Sequence, residues 1–495
     1  MKGEARQSGH LAALYGNSLA LLTDLYQLTM AYAYWKEGLA DRSSVFHLSF
    51  RKAPFENGYA IAAGLTTALE YLNSFRFSEA DLEYLKGLRG AIEDPLFSDE
   101  FLDYLRGVRF ECEVHAVPEG TIVFPQEPLL RVHGPLLQCQ IVETALLNIV
   151  NFQTLIATKA ARICAIASPA RVVEFGLRRA QGIDGGISAS RAAYIGGCQA
   201  TSNLLAGKLL GIPVSGTHAH SWVLSFDSEI EAFQAYARAM PANSLFLVDT
   251  YDTLKGVELA IKVGRSLRRE GYSMVGIRLD SGNLDTLSKE ARRLLDEAGF
   301  EEAVIVASND LDEHKIADLK KAGAPISVWG VGTRLATGFD EPALGGIYKM
   351  SAIQDPEGVW RHKLKLSEKG GQTSLPGILQ VRRFRDTDGL LLGDVIFDEL
   401  QTGGDPVLAS AHPEATGSKD LLKLVFSAGT TCCQLPSLAE TRDHCSEQMR
   451  QMRESEKLLA EKVYPVEIEP ALEATRQNLI LRAQGTSTPP VATRA

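Results

Sequence analysis

Two histidines, His218 and His220, follow the short apolar run of PVSGTHAHS, and a histidine delivered by a strand end is a candidate base or nucleophile. Upstream, EFGLRRAQG places Arg178 and Arg179 between an apolar run and a loop expected around Gly185 and Gly186. Arginines there suit phosphate or carboxylate, and glycines let a ligand approach the backbone closely. Downstream, RLDSG sets Arg278 and Asp280 on one face of an extended segment, a cation for an anionic group and a carboxylate for a sugar diol. GVGTR, running through Gly330, Gly332, Thr333 and Arg334, can wrap a phosphate with backbone N–H groups. DTYD offers Asp249 as a metal ligand and Asp252 as a helix cap. Each has a plainer reading: a structural Arg278/Asp280 ion pair, a packed His220, a solvated arginine pair, an ordinary glycine turn. What favours chemistry is their order and density along one stretch.

The elements that must hold these residues change character along the chain. Residues 1–18 read as a flexible leader. LLTDLYQLTMAYAYWKEG has helical spacing, with Thr23 or Asp24 as cap and an end at Gly38. A strand follows at 44–50, then helices over 59–75 and 77–104, several short strands over 112–132, and a long buried helix over 136–167. From residue 171 apolar runs ending in polar residues alternate with amphipathic helices that stop at glycine or before proline: VVEFG, PVSGTHAH, SLFLVDTYD, MVGIRLDSG, AVIVASND and ISVWGVGTR. Helices are expected from about 188 and over 200–210, and a strand at 213–217. That rhythm implies parallel strands with right-handed crossovers. The number of units favours a (β/α) barrel over an open dinucleotide-binding sheet, since GxGxxG does not follow the first strand. In a barrel the strand C-terminal ends build the site. Here those ends supply Arg178, Thr217, His218, His220, Asp249, Asp252, Arg278, Asp280, Ser281, Asn309, Asp310 and the GVGTR loop. This enrichment is the best residue-level argument for an enzyme. After about residue 356 the chain becomes strand- and loop-like, then a charged helix over 437–462 precedes a disordered tail at 485–495. The expected organisation is α/β. A domain at 19–150 is followed by a (β/α) barrel at 151–355, and a segment at 356–484 returns to the first domain.

The 495-residue chain is 45% hydrophobic and 23% charged with net charge −10, which argues against a general binder of nucleic acid or anionic membrane. Any phosphate site must be a local cationic pocket. The odd set of 7 cysteines, with Cys432 beside Cys433, has no disulfide framework, and Cys432, Cys433, His444 and Cys445 lack zinc spacing. No signal-peptide core opens the chain, so a reduced, cytoplasmic protein is expected.

TDLYQLTMAY, EFGLRRAQG, GTHAHS, DTYD, RLDSG, ASND, GVGT and the later SLPG stand in the order seen in nicotinate phosphoribosyltransferases, with an echo in LPSLAETR. The chain thus resembles that family over roughly 19–380. The resemblance implies an irregular barrel packed against an α/β sandwich domain formed by both chain ends, in a homodimer with the active site at the subunit interface. It implies joining of nicotinate to 5-phosphoribosyl 1-diphosphate, giving nicotinate mononucleotide and diphosphate for NAD synthesis. ATP is then a co-substrate, and Mg²⁺ (or Mn²⁺) rides mainly on substrate phosphates, with Asp249 as the candidate protein ligand. By motif, Tyr26 of the neighbouring subunit and Phe175 resemble the pair that stacks the pyridine, and Thr217 and Arg278 resemble the residues that hold the nicotinate carboxylate. Asp280 resembles the ribose ligand, and Gly332 with Thr333 the 5-phosphate cradle. Arg178, Ser281, Gly282, Asn309, Gly330 and Ser374 join them around the phosphoribosyl group. His220 matches a histidine phosphorylated by ATP, while His218 is expected to be held by packing. The family's Lys-x-Thr-x-Pro-Gly reads here as GQTSLPG, so Ser374 replaces a threonine and the lysine is displaced to Lys369.

The rival readings are the same transfer to nicotinamide or quinolinate, or a non-catalytic scaffold. Quinolinate asks for a denser cationic pocket. Nicotinamide relatives use an aspartate where Gln199 stands.

Overall fold

The computed structural model describes residues 15, 18–56, 58–366, 374–401, 412–453 and 464–484. Most of the expected leader, the tail at 485–495, the end of the charged helix and Lys369 lie outside them. The chain divides into two compact units, Met1–Leu155 with Ala343–Ala495, and Ile156–Pro342.

The first unit opens with helix α1 (Leu25–Lys36), strands β1 (Ser43–Phe50) and β2 (Ala60–Ile61), and helices α2 (Leu65–Ser74), α3 (Glu79–Lys86) and α4 (Asp99–Gly107). Strands β3 (Glu113–Ala116), β4 (Ile122–Val123) and β5 (Pro128–Pro135) follow, then helices α5 (Leu136–Ile141) and α6 (Glu143–Ala167). The helix expected over 59–75 starts later because Gly64, at φ +101°, breaks the chain just before Leu65. The one expected over 77–104 is two helices, each begun by a serine that accepts from the N3 amide, Ser78 and Ser98. Asp24 does not cap α1 with its side chain; it accepts instead from Thr144 at 2.9 Å. Helix α6 has the length and apolarity of a membrane span, but 72% of its apolar window is buried, so it is a core helix.

In the second unit β6 (Arg171–Glu174) leads into a 3-10 turn (Leu177–Arg179) and α7 (Gly182–Ile195). Next come β7 (Ala200–Thr201), α8 (Leu204–Leu210), α9 (His220–Val223), α10 (Glu229–Ala239), β8 (Leu245–Leu247) and α11 (Thr253–Arg269). Strand β9 (Gly276–Leu279), α12 (Leu284–Glu297), β10 (Val304–Ala307), α13 (Glu313–Lys321), β11 (Val328–Val331) and α14 (Thr333–Ala336) complete it. Its strands form a parallel sheet in the order β7-β6-β11-β10-β9-β8. The crossover helices begin where strand-end loops supply a cap: Asn203, Ser228, Asp252, Asn283 and Asp312.

Two expectations are corrected here. Gly185 and Gly186 lie in the first turns of α7 rather than in a loop, since the helix starts at Gly182. The strand expected at 213–217 reduces to one bridge, Val214 with Thr201 of β7. Its far end reaches β8 by side chains: the Thr217 hydroxyl donates to the Leu245 carbonyl, and the Leu247 amide donates to His218 Nε2 at 3.2 Å. Among the described residues no backbone ladder joins β7 to β8, so the shown architecture is a mixed α/β fold with a parallel sheet.

The chain then returns to the first unit as β12 (Gly346–Gln354), β13 (Trp360–His362), β14 (Leu379–Arg385), β15 (Leu391–Asp398), β16 (Gly417–Asp420), β17 (Lys423–Ser427), β18 (Thr430–Thr431), α15 (Leu438–Gln451), β19 (Val466–Ile468) and α16 (Pro470–Ala483). There β1 lies between β12 and β5 in an antiparallel sheet ordered β13-β12-β1-β5-β3-β17-β18, so strands from both chain ends share one core. A smaller sheet, β16-β14-β15-β19, carries buried Arg383 on Asp394.

Candidate active site

Phe175 follows the last residue of β6, with its amide on the Val331 carbonyl at 2.8 Å. Gly330 of β11 lies under its ring: a Cβ there would come within 2.6 Å of two ring carbons, so only glycine lets the ring lie flat. The Arg278 guanidinium sits 5.8 Å from the centre of that ring. Phe175 and Arg278 both line each of three neighbouring cavities, of about 120, 520 and 310 Å³.

The smallest cavity gathers Arg178, Arg179, Asp280, Ser308, Asn309, Asp310, Gly330, Gly332 and Thr333, so four strand ends converge on one cationic rim. Neither the Arg178 nor the Arg179 guanidinium bonds to any other described residue, and both are exposed. Asn309 and Asp310 hold φ of +91° and +45°, a left-handed pair rare outside glycine. The widest cavity runs along Val173, Val304, Val306 and Val328, and the third is lined by Thr217, His218 and Ala219.

Arg278 and Asp280 do form the ion pair that the plainer reading foresaw, Nη2 to Oδ1 at 3.0 Å, and Arg278 Nε donates to Ser308 Oγ at 3.0 Å. Ser308 in turn donates to Asp280. The pair nonetheless borders the cavities, so it leaves room for a ligand. Burial pushes the Asp280 carboxyl up, but the Ser308 and Arg278 bonds and nearby His220 outweigh it and hold it below the ordinary value. His220 Nε2 lies 3.7 Å from Asp280 Oδ2, and its Nδ1 is 3.2 Å from Thr250 Oγ1. His218 differs. It is 7% exposed, packs edge-on against Tyr236, and burial lowers its imidazole to about 4. A ring that accepts from the Leu247 amide is a neutral, structural histidine.

Asp249 is 9% exposed, and its Oδ2 accepts from the Asp280 amide at 2.8 Å and from Ser281 Oγ at 2.7 Å, which pins the RLDSG loop. Its Oδ1 is buried without a hydrogen-bond partner among the described residues. Asp252 caps α11 through the Lys255 amide at 3.0 Å. Gly282 sits at φ +75°, the turn out of the loop. Among the described residues no group of three His, Cys, Asp or Glu side chains could hold a metal.

Tyr26 and Ser374 belong to the other unit. Tyr26 is 48% exposed in the first turn of α1. Ser374 accepts from the Lys365 amide at 3.0 Å and lines a cavity of about 80 Å³ with Arg51, Lys349 and His47. The sequence reading missed Ser308, Thr250 and Glu174. The first two stood inside the quoted motifs ASND and DTYD, but only three-dimensional proximity shows their partners. Gln199, set against the aspartate of nicotinamide relatives, accepts from the Val172 amide at 2.7 Å.

Comparison with known proteins meets this geometry. The nicotinate phosphoribosyltransferase (NAPRTase) N-terminal domain matches residues 21–151, the family itself residues 170–356, and the C-terminal domain residues 380–476. The nicotinate phosphoribosyltransferase of Bacillus subtilis is 44% identical over 466 residues, covering 91% of this chain and 93% of its own. The human enzyme of that name is 36% identical over 492 residues, covering 85% and 89%. The crystal structure of human nicotinic acid phosphoribosyltransferase superposes with TM-score 0.79 at 33% identity, over 92% of this chain and 99% of that one. A nicotinate-nucleotide pyrophosphorylase from Pyrococcus furiosus, at 22% identity and TM-score 0.66, shares the fold. With matches in both units and relatives this similar over nearly their whole length, the chain belongs to the nicotinate phosphoribosyltransferase family.

Proposed function

We propose that this chain transfers the phosphoribosyl group of 5-phosphoribosyl 1-diphosphate to the ring nitrogen of nicotinate in the salvage of nicotinate into NAD. The observation that carries the reading is a convergence: an aromatic ring with a cation at its face, an arginine pair without partners among the described residues, and an anionic Asp280 beside His220, on one cavity rim. The bond from C1 of the ribose to diphosphate oxygen breaks and the bond from C1 to the pyridine nitrogen forms. No protein nucleophile toward the sugar is needed. Catalysis is orientation and stabilisation of the leaving diphosphate.

In this reading Phe175 stacks the pyridine and Arg278 pairs with its carboxylate. Thr217 can help only by turning its hydroxyl away from the Leu245 carbonyl. Asp280 takes the ribose hydroxyls, with Ser281 and Gly282 shaping the turn below. Arg178 meets the diphosphate, while Asn309, Gly330, Gly332 and Thr333 surround the 5-phosphate. Mg²⁺ or Mn²⁺ would neutralise charge on the departing diphosphate, and Asp249 Oδ1, buried and without a hydrogen-bond partner among the described residues, is a protein oxygen that could help hold it. ATP coupling would run through His220. With Nδ1 beside Thr250, Nε2 is the nitrogen placed to attack the γ-phosphate, giving N-phosphohistidine and ADP. We further read the sheet as an irregular barrel, with the 213–217 segment touching both edges. The assembly is read as a cytoplasmic homodimer in which a neighbour's Tyr26 completes the site, with Ser374 as a further contact of the phosphoribosyl group. Large apolar side chains exposed in each unit, Tyr26 (48%) in one and Ile183 (76%) and Leu204 (74%) in the other, support contact with a second subunit.

Two measurements test this. Single-turnover formation of nicotinate mononucleotide tests the transfer itself. Mixing Tyr26→Ala subunits with Asp280→Ala subunits should restore about one site per heterodimer; verified heterodimers without activity would defeat the shared site.

A further inference from the structure

Glu174, the last residue of β6, is 1% exposed and pairs with no cationic side chain among the described residues. Its carboxylate instead collects three neutral donors. One oxygen accepts from the Gly176 amide; the other accepts from Ser190 Oγ of α7 at 2.9 Å and Thr201 Oγ1 of β7 at 2.6 Å. Asn203 extends the cluster, its amide on Thr201 Oγ1 at 3.0 Å and its Nδ2 on Ser190 Oγ at 3.2 Å. Ser190, Thr201 and Asn203 are each 1% exposed. Burying a carboxylate without a cation is costly unless its lone pairs are filled. A polar network this closed makes its geometry definite.

What the network holds is the loop that carries the site. The Gly176 amide sits between Phe175 and the 3-10 turn of Leu177–Arg179, and Gly176 is that turn's N-cap. Fixing this amide fixes both the platform ring and the direction of Arg178 and Arg179. We propose that Glu174 is a positioning residue for phosphoribosyl transfer: from beneath the site it aims Phe175 at an aromatic acid and Arg178 at a diphosphate. The proposal rests on the functional reading above for the identity of those two ligands.

The test uses Glu174→Gln, which keeps the volume but offers one oxygen where three donors converge. Binding of inorganic diphosphate, followed by calorimetry in Mg²⁺ buffer, should weaken about tenfold, the size expected for losing a charge-assisted hydrogen bond that orders a ligand-binding group. The Michaelis constant for nicotinate should rise with it. In an Arg178→Ala background the same substitution should weaken diphosphate binding no further, because its effect passes through that arginine. A merely structural Glu174 predicts equal factors in both backgrounds. Thr201→Val removes one donor and should weaken binding two- to threefold, and it carries the test if Glu174→Gln does not fold. Folded variants that bind diphosphate as tightly as the wild type, or equal losses in both backgrounds, overturn the proposal. A wild type that binds diphosphate but makes no nicotinate mononucleotide overturns the substrate reading alone.

Discussion

Two arginine environments differ in how far the protein fills their hydrogen-bond donors. Arg383 is 1% exposed, donates to both Asp394 oxygens and to the Ile122 carbonyl at 2.8 Å, and stacks on Phe124 at 5.4 Å. Tyr464 bonds the same aspartate at 3.1 Å. At the strand ends of the other unit Arg178 and Arg179 are exposed and have no protein acceptor among the described residues, while Arg278 keeps one side on Asp280 and Ser308 and another on the cavities. Both kinds of site concentrate charge. The difference lies in saturation: a structural guanidinium has filled its donors with protein oxygens, and a binding one keeps donors for an anion the protein does not supply.

The contrast can be broken by substitution. Arg383→Ala should cost about 3–5 kcal/mol of stability, because it strands a buried carboxylate, and should leave the Michaelis constants of the folded fraction unchanged; urea unfolding beside steady-state kinetics checks this. Next in size is Arg278→Ala, expected to cost about 2–5 kcal/mol in nicotinate binding, as for one lost partner of a buried charge pair. Arg178→Ala should change stability by less than about 0.5 kcal/mol while raising the Michaelis constant for 5-phosphoribosyl 1-diphosphate. A large stability loss in that variant would erase the distinction.

The two histidines sharpen the same contrast with a smaller effect. Folded His218 takes up a proton only near about 4, whereas the unfolded chain does so near the ordinary imidazole value. Across that window the unfolded state binds more protons, so stability falls as pH falls from about 6.5 toward 4. His115 is pushed the same way, to about 4, so His218→Gln should flatten the slope only in part. His220→Ala should abolish ATP stimulation, with slow ATP-independent synthesis surviving. Measured unfolding free energies at pH 7 and pH 5 decide the first point, and ATPase assays the second.

Much of this was legible in the residue order. The run of apolar strands ending in RLDSG, ASND and GVGTR put Arg278, Asp280, Asn309 and Gly330 at one sheet edge, and the structure gathers them around one cavity. The local period carries that information because each strand end is read within a few residues. Less visible was anything set by distant partners. The 213–217 run looks like a strand, yet among the described residues its backbone meets β7 through a single bridge, Val214 with Thr201, with side-chain bonds serving β8. Gly185 and Gly186 looked like a loop, but the helix runs through them from Gly182. Glu174 stood in plain view in EFG; its role depends on Ser190 and Thr201, 16 and 27 residues away.

The central claim is that the unsaturated rim of Phe175, Arg278 and Arg178 is built for a pyridine carboxylate and a phosphoribosyl diphosphate. The most direct test offers the wild-type protein nicotinate and nicotinamide together with 5-phosphoribosyl 1-diphosphate, and follows both mononucleotides in a single turnover. The account predicts nicotinate mononucleotide with a preference of about a hundredfold or more, the scale of a lost buried charge pair. Equal use of the two pyridines, or no mononucleotide from nicotinate, would contradict it.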